Sequence, residues 1–152
     1  MLMSPLIMVM HPSILLIEDS PGECELFRLA LAQTGLDVAL YTEQDAEAAF
    51  HFLTDRARHE SLPSVILLDW HLQKQHGDEF LKRLRADSRF ASIPVVVFTT
   101  SDAASDIATS YANGANGYVV KPSTYDQLVE CVRDLCSFWL KWNRTSEVLV
   151  RC

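Results

Sequence analysis

Several apolar runs in this sequence end directly in side chains that can do chemistry. Glu18 and Asp19 follow one such run, Asp69 follows another, and two later runs end in Thr99 and in Lys121. An isolated aspartate at such a place most often turns the chain by hydrogen bonding to the backbone. Three carboxylates together repel one another unless a cation or proton compensates, and Mg²⁺ suits them because it prefers carboxylate, water and phosphate oxygens. The set therefore indicates a site for a divalent cation, with Mg²⁺ as the candidate ion, provided that the fold brings these residues together.

The alternation of apolar runs with amphipathic stretches predicts the elements that position these side chains. Strands are predicted at 13–17, 38–41, 65–68, 94–98 and 117–120, and helices begin near residues 21, 45, 78, 105 and 123–124. Five strand and helix pairs in alternation favour a parallel sheet with right-handed crossovers and helices on both faces. Ligands bind beyond the carboxyl ends of the strands in such a sheet, where these polar residues would meet.

Helical spacing also predicts which side chains are buried. In the first helix Leu26, Leu29 and Ala30 share one face, and Gly35 ends the helix. The last helix is predicted to reach residue 142 and carries a row of apolar and aromatic residues. These residues are Leu128, Val132, Leu135, Phe138, Trp139 and Trp142. Core packing and a dimer or partner interface are both open explanations of this aromatic surface.

Composition narrows the classes of protein to consider. The 152 residues include 49% apolar and 22% charged residues, which is typical of one globular domain. A formal net charge of −7 and the lack of a Lys/Arg cluster argue against DNA binding. The apolar residues 1–10 are too few to span a bilayer. The four cysteines form no CxxC pair, which indicates free thiols and a cytoplasmic location.

The order and placement of the polar residues closely resemble the receiver domain of two-component response regulators, over residues 12 to 139. The residues that carry the resemblance are Glu18-Asp19, Asp69, Thr99 and Lys121-Pro122. The resemblance implies a flavodoxin-like α/β fold, a doubly wound parallel sheet with strand order 2-1-3-4-5. It also implies Mg²⁺ as cofactor and a phosphohistidine of a histidine kinase as the phosphoryl donor.

The resemblance implies one role for each residue of the acidic edge. Asp69 is the phosphoacceptor and a metal ligand, and Lys121 is the partner of the phosphoryl group. Asp19 is a direct metal ligand, whereas Glu18 binds the metal through water. The backbone carbonyl of His71 is a further ligand. An ionised carboxylate is already a nucleophile, so no base is needed to activate Asp69.

The resemblance also implies a switch that reports phosphorylation. Thr99 is the switch hydroxyl, drawn toward the new phosphoryl group, and Tyr118 is the switch aromatic that turns inward afterwards. These movements would repack the face formed by the fourth helix, the fifth strand and the fifth helix. His71 and Ser101, each two residues after a site residue, are candidates for tuning the lifetime of the phosphate.

Three positions bear on how closely the chain follows the family pattern. Gln73 stands where the family usually has proline, which predicts a less rigid loop after Asp69. Ser123 stands where an aromatic residue is common, which leaves the packing at the start of the fifth helix open. The resemblance further implies a cis peptide bond before Pro122.

The predicted organisation is a receiver domain at residues 12–142 between tails at 1–11 and 143–152. About ten residues follow Trp142, so the sequence predicts a stand-alone regulator that acts through its own surface. The "SFW" at 137–139 and "PVVVFTTS" are similar to receivers that pair with bacteriophytochrome kinases. A histidine phosphotransfer protein is a further expected partner. A second copy of the chain, bound through the switch face and the last helix, is another.

Two other classes of function remain open from the sequence. A haloacid-dehalogenase-type phosphatase also uses an aspartate nucleophile with Mg²⁺, but it needs a second acid two residues later, where this chain has His71. A phosphorylation-independent receiver-like binding module is the other alternative. The favoured interpretation is a self-phosphorylating acceptor with its own dephosphorylation and no turnover of an external substrate.

Overall fold

The computed structural model describes residues 11–145, and its five strands form one parallel sheet. The strands are β1 (Ser13–Ile17), β2 (Ala39–Glu43), β3 (Val65–Leu68), β4 (Val95–Thr99) and β5 (Gly117–Val120), in the order 2-1-3-4-5. The three central strands are buried at every position because helices cover both of their sides, whereas the edge strands are only partly buried. The predicted flavodoxin-like α/β fold is confirmed.

Five helices connect and follow the strands. They are α1 (Pro21–Thr34), α2 (Ala46–Arg58), α3 (Gly77–Ala86), α4 (Ala104–Ala112) and α5 (Tyr125–Cys136). Local sequence explains several of their ends. The Ser20 side chain caps α1, whose first residue is proline, and Gly35 ends α1 with a φ of 74° that favours glycine. Asp45 caps α2 in the same way by accepting a hydrogen bond from the Ala48 amide.

The core consists of one layer on each face of the sheet. Side chains of α2 and α3, including Phe50 and Phe80, pack on one face. Side chains of α1 and α5, including Phe27 and Val132, pack on the other. Because successive residues of a strand face opposite sides, each central strand contributes to both layers.

The buried face of α1 differs from the predicted one. Leu26 and Leu29 are about half exposed, at 46% and 50%. Ala30 is buried as predicted, and it shares its layer with Cys24 and Phe27. The helix carries two apolar faces, and its packing against α5 and the sheet selects the one that contains Phe27.

The last helix ends earlier as an α-helix than its periodicity predicts. Residues Ser137–Trp142 continue it as a π-helical turn, in which the Asn143 amide donates to the Phe138 carbonyl over 2.7 Å. Phe138 and Trp142 are exposed, while Trp139 is half-buried against β5. A methyl group at Gly117 would lie 3.2 Å from the Trp139 ring, so the absence of a side chain there permits the contact.

Among residues 11–145, no helix combines the length and the apolar character needed to cross a membrane. The predicted tails lie almost wholly outside the described residues. The unit predicted at residues 12–142 spans all five strands and helices and the π-helical turn.

Candidate functional site

The carboxyl edge of the sheet brings together the polar residues that follow the apolar runs of the sequence. Glu18 and Asp19 follow β1, and Asp69 follows the neighbouring strand β3. The Asp69 amide donates to the Ile17 carbonyl over 3.0 Å, which extends the pairing of these strands by one residue. The Lys121 amide likewise donates to the Thr99 carbonyl over 2.7 Å. Strand pairing therefore holds the backbone of Asp69 and of Lys121.

The acidic cluster contains Glu18, Asp19 and Asp69, and each offers one oxygen within 4.8 Å of the others. The ammonium group of Lys121 reaches into this cluster. Its Nζ lies 2.5 Å from Glu18 Oε1 and 3.7 Å from Asp69 Oδ2, and a third carboxylate, that of Glu23, lies 3.6 Å away. One cation thus faces several acids, which leaves a surplus of negative charge at the edge.

Burial makes the pair of Glu18 and Lys121 unusual. Glu18 is 2% exposed, and the Lys121 side chain is 9% exposed. Burial raises the pKa of Glu18, and the hydrogen bond to Lys121 opposes this only in part. Burial would lower the pKa of Lys121, but the hydrogen bond to Glu18 and the charge of Asp69 outweigh it, so this pKa lies above its ordinary value. Lys121 is therefore a fixed positive charge beside Asp69.

The carboxylate of Asp69 accepts hydrogen bonds at one oxygen and faces the lysine with the other. Thr99 Oγ1 donates to Asp69 Oδ1 over 3.0 Å, and the His71 amide donates to the same oxygen over 3.2 Å. Trp70, next to the acceptor, is fully buried and packs in the core layer of α2 and α3. Its carbonyl accepts from the Gly77 amide over 3.1 Å, which ties the loop after Asp69 to the start of α3.

The loop position that usually holds proline in the family has a specific contact in this chain. The Gln73 amide donates to Asp19 Oδ2 over 2.8 Å, a bond that proline could not make. This hydrogen bond anchors the loop to Asp19, and the lower rigidity expected without the proline stays a prediction. The expected cis bond before Pro122 is wrong, because no cis peptide bond occurs among the described residues. The trans form is intrinsically preferred even before proline.

The donor set fits a divalent cation. Two oxygens bound to one Mg²⁺ lie at most about 4.2 Å apart, so the acidic cluster is close to the spacing that an ion needs. Both Glu18 oxygens already accept, one from Lys121 and the other from the Ser20 amide over 3.1 Å. Asp19 and Asp69 are therefore better placed for direct ligation, and Glu18 suits a contact through water. The ligand role of the His71 carbonyl stays a prediction.

The residues expected to form the switch lie close to the acceptor. Thr99 is 1% exposed and already donates to Asp69. The hydroxyl of Tyr118 donates to the Ser101 carbonyl over 2.8 Å, so its ring lies against the loop that joins β4 to α4. Burial raises the pKa of Tyr118, which keeps this hydroxyl protonated as a donor.

A further residue at the site, Asp106 in the first turn of α4, was not predicted. Its Oδ2 accepts from Ser101 Oγ over 2.6 Å and lies 2.8 Å from His71 Nε2. The hydrogen bonds from Ser101 and His71 lower the pKa of Asp106, so the carboxylate is ionised near neutral pH. The only signal in the sequence is an acid near a helix start. Spacing along the chain could not show that both candidates for tuning the phosphate lifetime contact one carboxylate.

Comparisons with known proteins agree with this geometry. The family model described as "Response regulator receiver domain" matches residues 14–133. The protein FilR2 of Methanothrix harundinacea, a probable methanogenesis regulatory protein, is 35% identical over 133 residues, which cover 87% of this chain and 86% of FilR2. Response regulator Rcp1 of Synechocystis is 35% identical over 130 residues, which cover 84% of this chain and 88% of Rcp1.

Solved structures give the same result. The phosphorylated cyanobacterial phytochrome response regulator RcpA is 32% identical with a TM-score of 0.80, covering 90% of this chain and 99% of that chain. The Mn²⁺-bound form of Rcp1 is 33% identical with a TM-score of 0.75 and the same coverage, 90% and 99%. Both the sequence and the three-dimensional likeness therefore extend over nearly the whole described region.

Proposed function

Since this chain belongs to the response regulator receiver family of two-component signalling, we propose that Asp69 accepts a phosphoryl group from the phosphohistidine of a histidine kinase. The observation that carries the proposal is the convergence of Glu18, Asp19 and Lys121 on Asp69 at one sheet edge. A receiver unit of residues 12–142 contains every protein group that the reaction uses on the acceptor side.

The residues divide the work of phosphoryl transfer. An oxygen of Asp69 forms a bond to phosphorus while the bond from phosphorus to the donor imidazole breaks, and the electron pair of that bond returns to the imidazole nitrogen. Lys121, 3.7 Å from Asp69 and held by Glu18, balances negative charge on the transferred group. The Thr99 hydroxyl, now on Asp69, is placed to donate to a phosphoryl oxygen.

Asp19 and Asp69 would hold a divalent cation, Glu18 would contact it through water, and the His71 carbonyl would complete the protein ligands. A bound Mg²⁺ supplies charge neutralisation for the phosphoryl oxygens. The related regulator Rcp1 has a structure in a Mn²⁺-bound form, which supports this assignment. The Gln73 amide positions the Asp19 carboxylate for it.

We further propose that the signal leaves through Thr99 and Tyr118 to the face formed by α4, β5 and α5. The partner would be a histidine kinase, with the phytochrome type favoured by the likeness to RcpA. The exposed aromatic side chains Phe138 and Trp142 next to this face suit a homodimer or a histidine phosphotransfer protein. No turnover of an external substrate is expected, because the acceptor is the chain's own Asp69, and the phosphoryl group leaves it only to water or to a phosphotransfer protein.

One observation favours a second candidate, a binding module that works without phosphorylation. Thr99 donates to the Asp69 carboxylate and Tyr118 donates to the Ser101 carbonyl, so both switch side chains have hydrogen-bond partners within the protein. A chain that holds these contacts permanently would present one fixed surface.

The experiment is intact-protein mass spectrometry after incubation with a small acyl-phosphate donor, with Mg²⁺ or with a chelator. The expected result is one phosphoryl adduct that requires Mg²⁺ and is absent from Asp69→Asn. Asp37→Asn, an exposed acid before β2 and away from the carboxyl edge, is the matched control and should be modified like the natural chain. Lack of an adduct from both this donor and a phosphorylated phytochrome kinase would support the binding module instead.

A further inference from the structure

The geometry points to Asp106 as a positioning residue that sets how fast phosphorylated Asp69 is hydrolysed. The inference rests on the proposed phosphorylation. Among the described residues, the hydrogen bonds of the Asp106 carboxylate are to the side chains of His71 and Ser101, and none is to Asp69. It would act on the reaction only through these two side chains.

One carboxylate oxygen joins three separate segments at the mouth of the site. His71 belongs to the loop after β3, Ser101 to the loop after β4, and Asp106 to α4. The contacts of 2.8 Å and 2.6 Å to Asp106 Oδ2 connect these segments in a bridge. Ser101 is further held by Tyr118, which donates to its carbonyl, and by the Ala103 amide, which donates to its hydroxyl over 3.3 Å.

The bridge lies beside the path that water needs. Glu18 and Lys121 are buried and close the inner side of the site, so water must approach a phosphoryl group on Asp69 from the outer side, between the loops. His71 lies two residues after Asp69, its amide donates to that carboxylate, and its side chain is 48% exposed.

Asp106 is what holds the His71 imidazole between the loops. The imidazole also meets the ring of His76 edge-on, with ring centroids 5.1 Å apart, but His76 belongs to the same loop and ties His71 to no other segment. The bond to Asp106 is the one that reaches across to α4. The bridge thus narrows the approach of water and slows hydrolysis.

The matched variants separate positioning from helix stability. Asp106→Ala removes the acceptor oxygen, whereas Asp106→Asn keeps an oxygen that can accept from Ser101 and from the imidazole. Asp102→Ala removes an exposed acid next to Ser101, in the loop between β4 and α4, and is the control. His71→Ala removes the side chain that Asp106 positions.

The experiment loads each variant with a small acyl phosphate and Mg²⁺, removes the donor, and follows loss of the adduct by intact mass. We expect Asp106→Ala to speed hydrolysis by about two- to tenfold, the factor by which one net hydrogen bond shifts an equilibrium. Asp106→Asn and Asp102→Ala should stay near the natural rate. In the His71→Ala background, Asp106→Ala should have a smaller effect than in the natural chain, because the route through the imidazole is already lost.

Three results would overturn the inference. These are an unchanged or slower rate in Asp106→Ala, equal effects of Asn and Ala at this position, and fully additive effects of the His71 and Asp106 substitutions. Thermal unfolding of each variant, followed by circular dichroism, shows whether the variant is still folded. An adduct that never forms on the natural chain would instead overturn the proposed function.

Discussion

The contact between Gly77 and Trp70 leads to a prediction about the base of the loop that carries Asp69. Gly77 is the first residue of α3, and Trp70 is fully buried directly after the acceptor. A methyl group at position 77 would lie 2.6 Å from Cε3 of the Trp70 ring and 3.1 Å from two further ring carbons. The Gly77→Ala substitution therefore forces either the indole or the start of α3 to move.

Two opposing effects set the size of the change. Overpacking a buried site costs about 1–3 kcal/mol, while replacing glycine by alanine restricts the unfolded chain and gains about 0.4–1 kcal/mol. We expect Gly77→Ala to lower the free energy of unfolding by about 1–2 kcal/mol. At about 2–4 °C per kcal/mol, this lowers Tm by about 2–8 °C.

Gly22→Ala in α1 is the matched control. It also lies at the start of a helix, but the nearest atom to a methyl group there is Ser20 Oγ at 3.9 Å, outside any clash. Gly22→Ala should therefore raise the free energy of unfolding by about 0.4–1 kcal/mol. Urea unfolding of both variants, followed by far-UV circular dichroism, measures the difference.

A second substitution tests the contact itself. Trp70→Phe shortens the buried ring system that the new methyl group would meet, so it should relieve the strain in Gly77→Ala. We expect a favourable coupling energy of about 1 kcal/mol or more in the double-mutant cycle.

Because Trp70 directly follows the acceptor Asp69, a shift of the indole in Gly77→Ala should also slow the phosphorylation of Asp69. Equal stability effects at positions 22 and 77, or zero coupling with Trp70, would refute this reasoning.

Three other parts of the molecule give predictions of their own. Arg85 donates to the carbonyls of Ala91, Ile93 and Gly114 and to the Asn116 side chain. Arg85→Lys should therefore lower the free energy of unfolding, measured in urea, by about 1–3 kcal/mol. The control Arg58→Lys, at an exposed position, should be near neutral. Asp45→Ala should cost about 1 kcal/mol as a lost cap, and Asp45→Asn much less. The hydrogen bond from the Ala48 amide lowers the pKa of Asp45 in the folded protein. The ionised carboxylate therefore stabilises the fold at pH values above the ordinary pKa near 3.8, and this stabilisation is lost as the pH falls through the lowered pKa. The Asp45→Asn variant should lack this contribution to acid unfolding. Tyr118→Phe should speed amide exchange in the loop after β4, and unchanged exchange would contradict the described bond to Ser101.

Much of the fold could be predicted because the central strands are short apolar runs. β1 and β5 have the predicted bounds, and β4 differs by one residue at each end. The packed face of α1 could not be read from spacing, since Leu26 and Leu29 are as apolar as the buried Phe27. Only the position of α1 against α5 decides between them. The π-helical turn has no sequence signal either, because it depends on how the aromatic residues pack.

The sequence predicts which residues form the candidate site, but it predicts few of the hydrogen bonds between them. Parallel strands must bring their ends to one edge, so the convergence of Asp19, Asp69 and Lys121 follows from topology. The bond from Gln73 to Asp19 and the bridge at Asp106 involve loops whose course no periodicity determines. Their roles became visible only from the distances between atoms.

Gly117 and the next residue, Tyr118, contact the two core layers on opposite faces of the sheet. Tyr118 packs with the α2 and α3 layer, while its neighbour Gly117 meets Trp139 in the α1 and α5 layer. Because Gly117 has no side chain, the Trp139 indole packs directly on the backbone of β5. A small shift of this strand would therefore move the indole as well. Mechanical coupling from the acceptor edge to the C-terminal turn therefore requires only that β5 moves as a rigid unit. Adding one methyl group at position 117 would alter that linkage and leave every polar residue of the site in place.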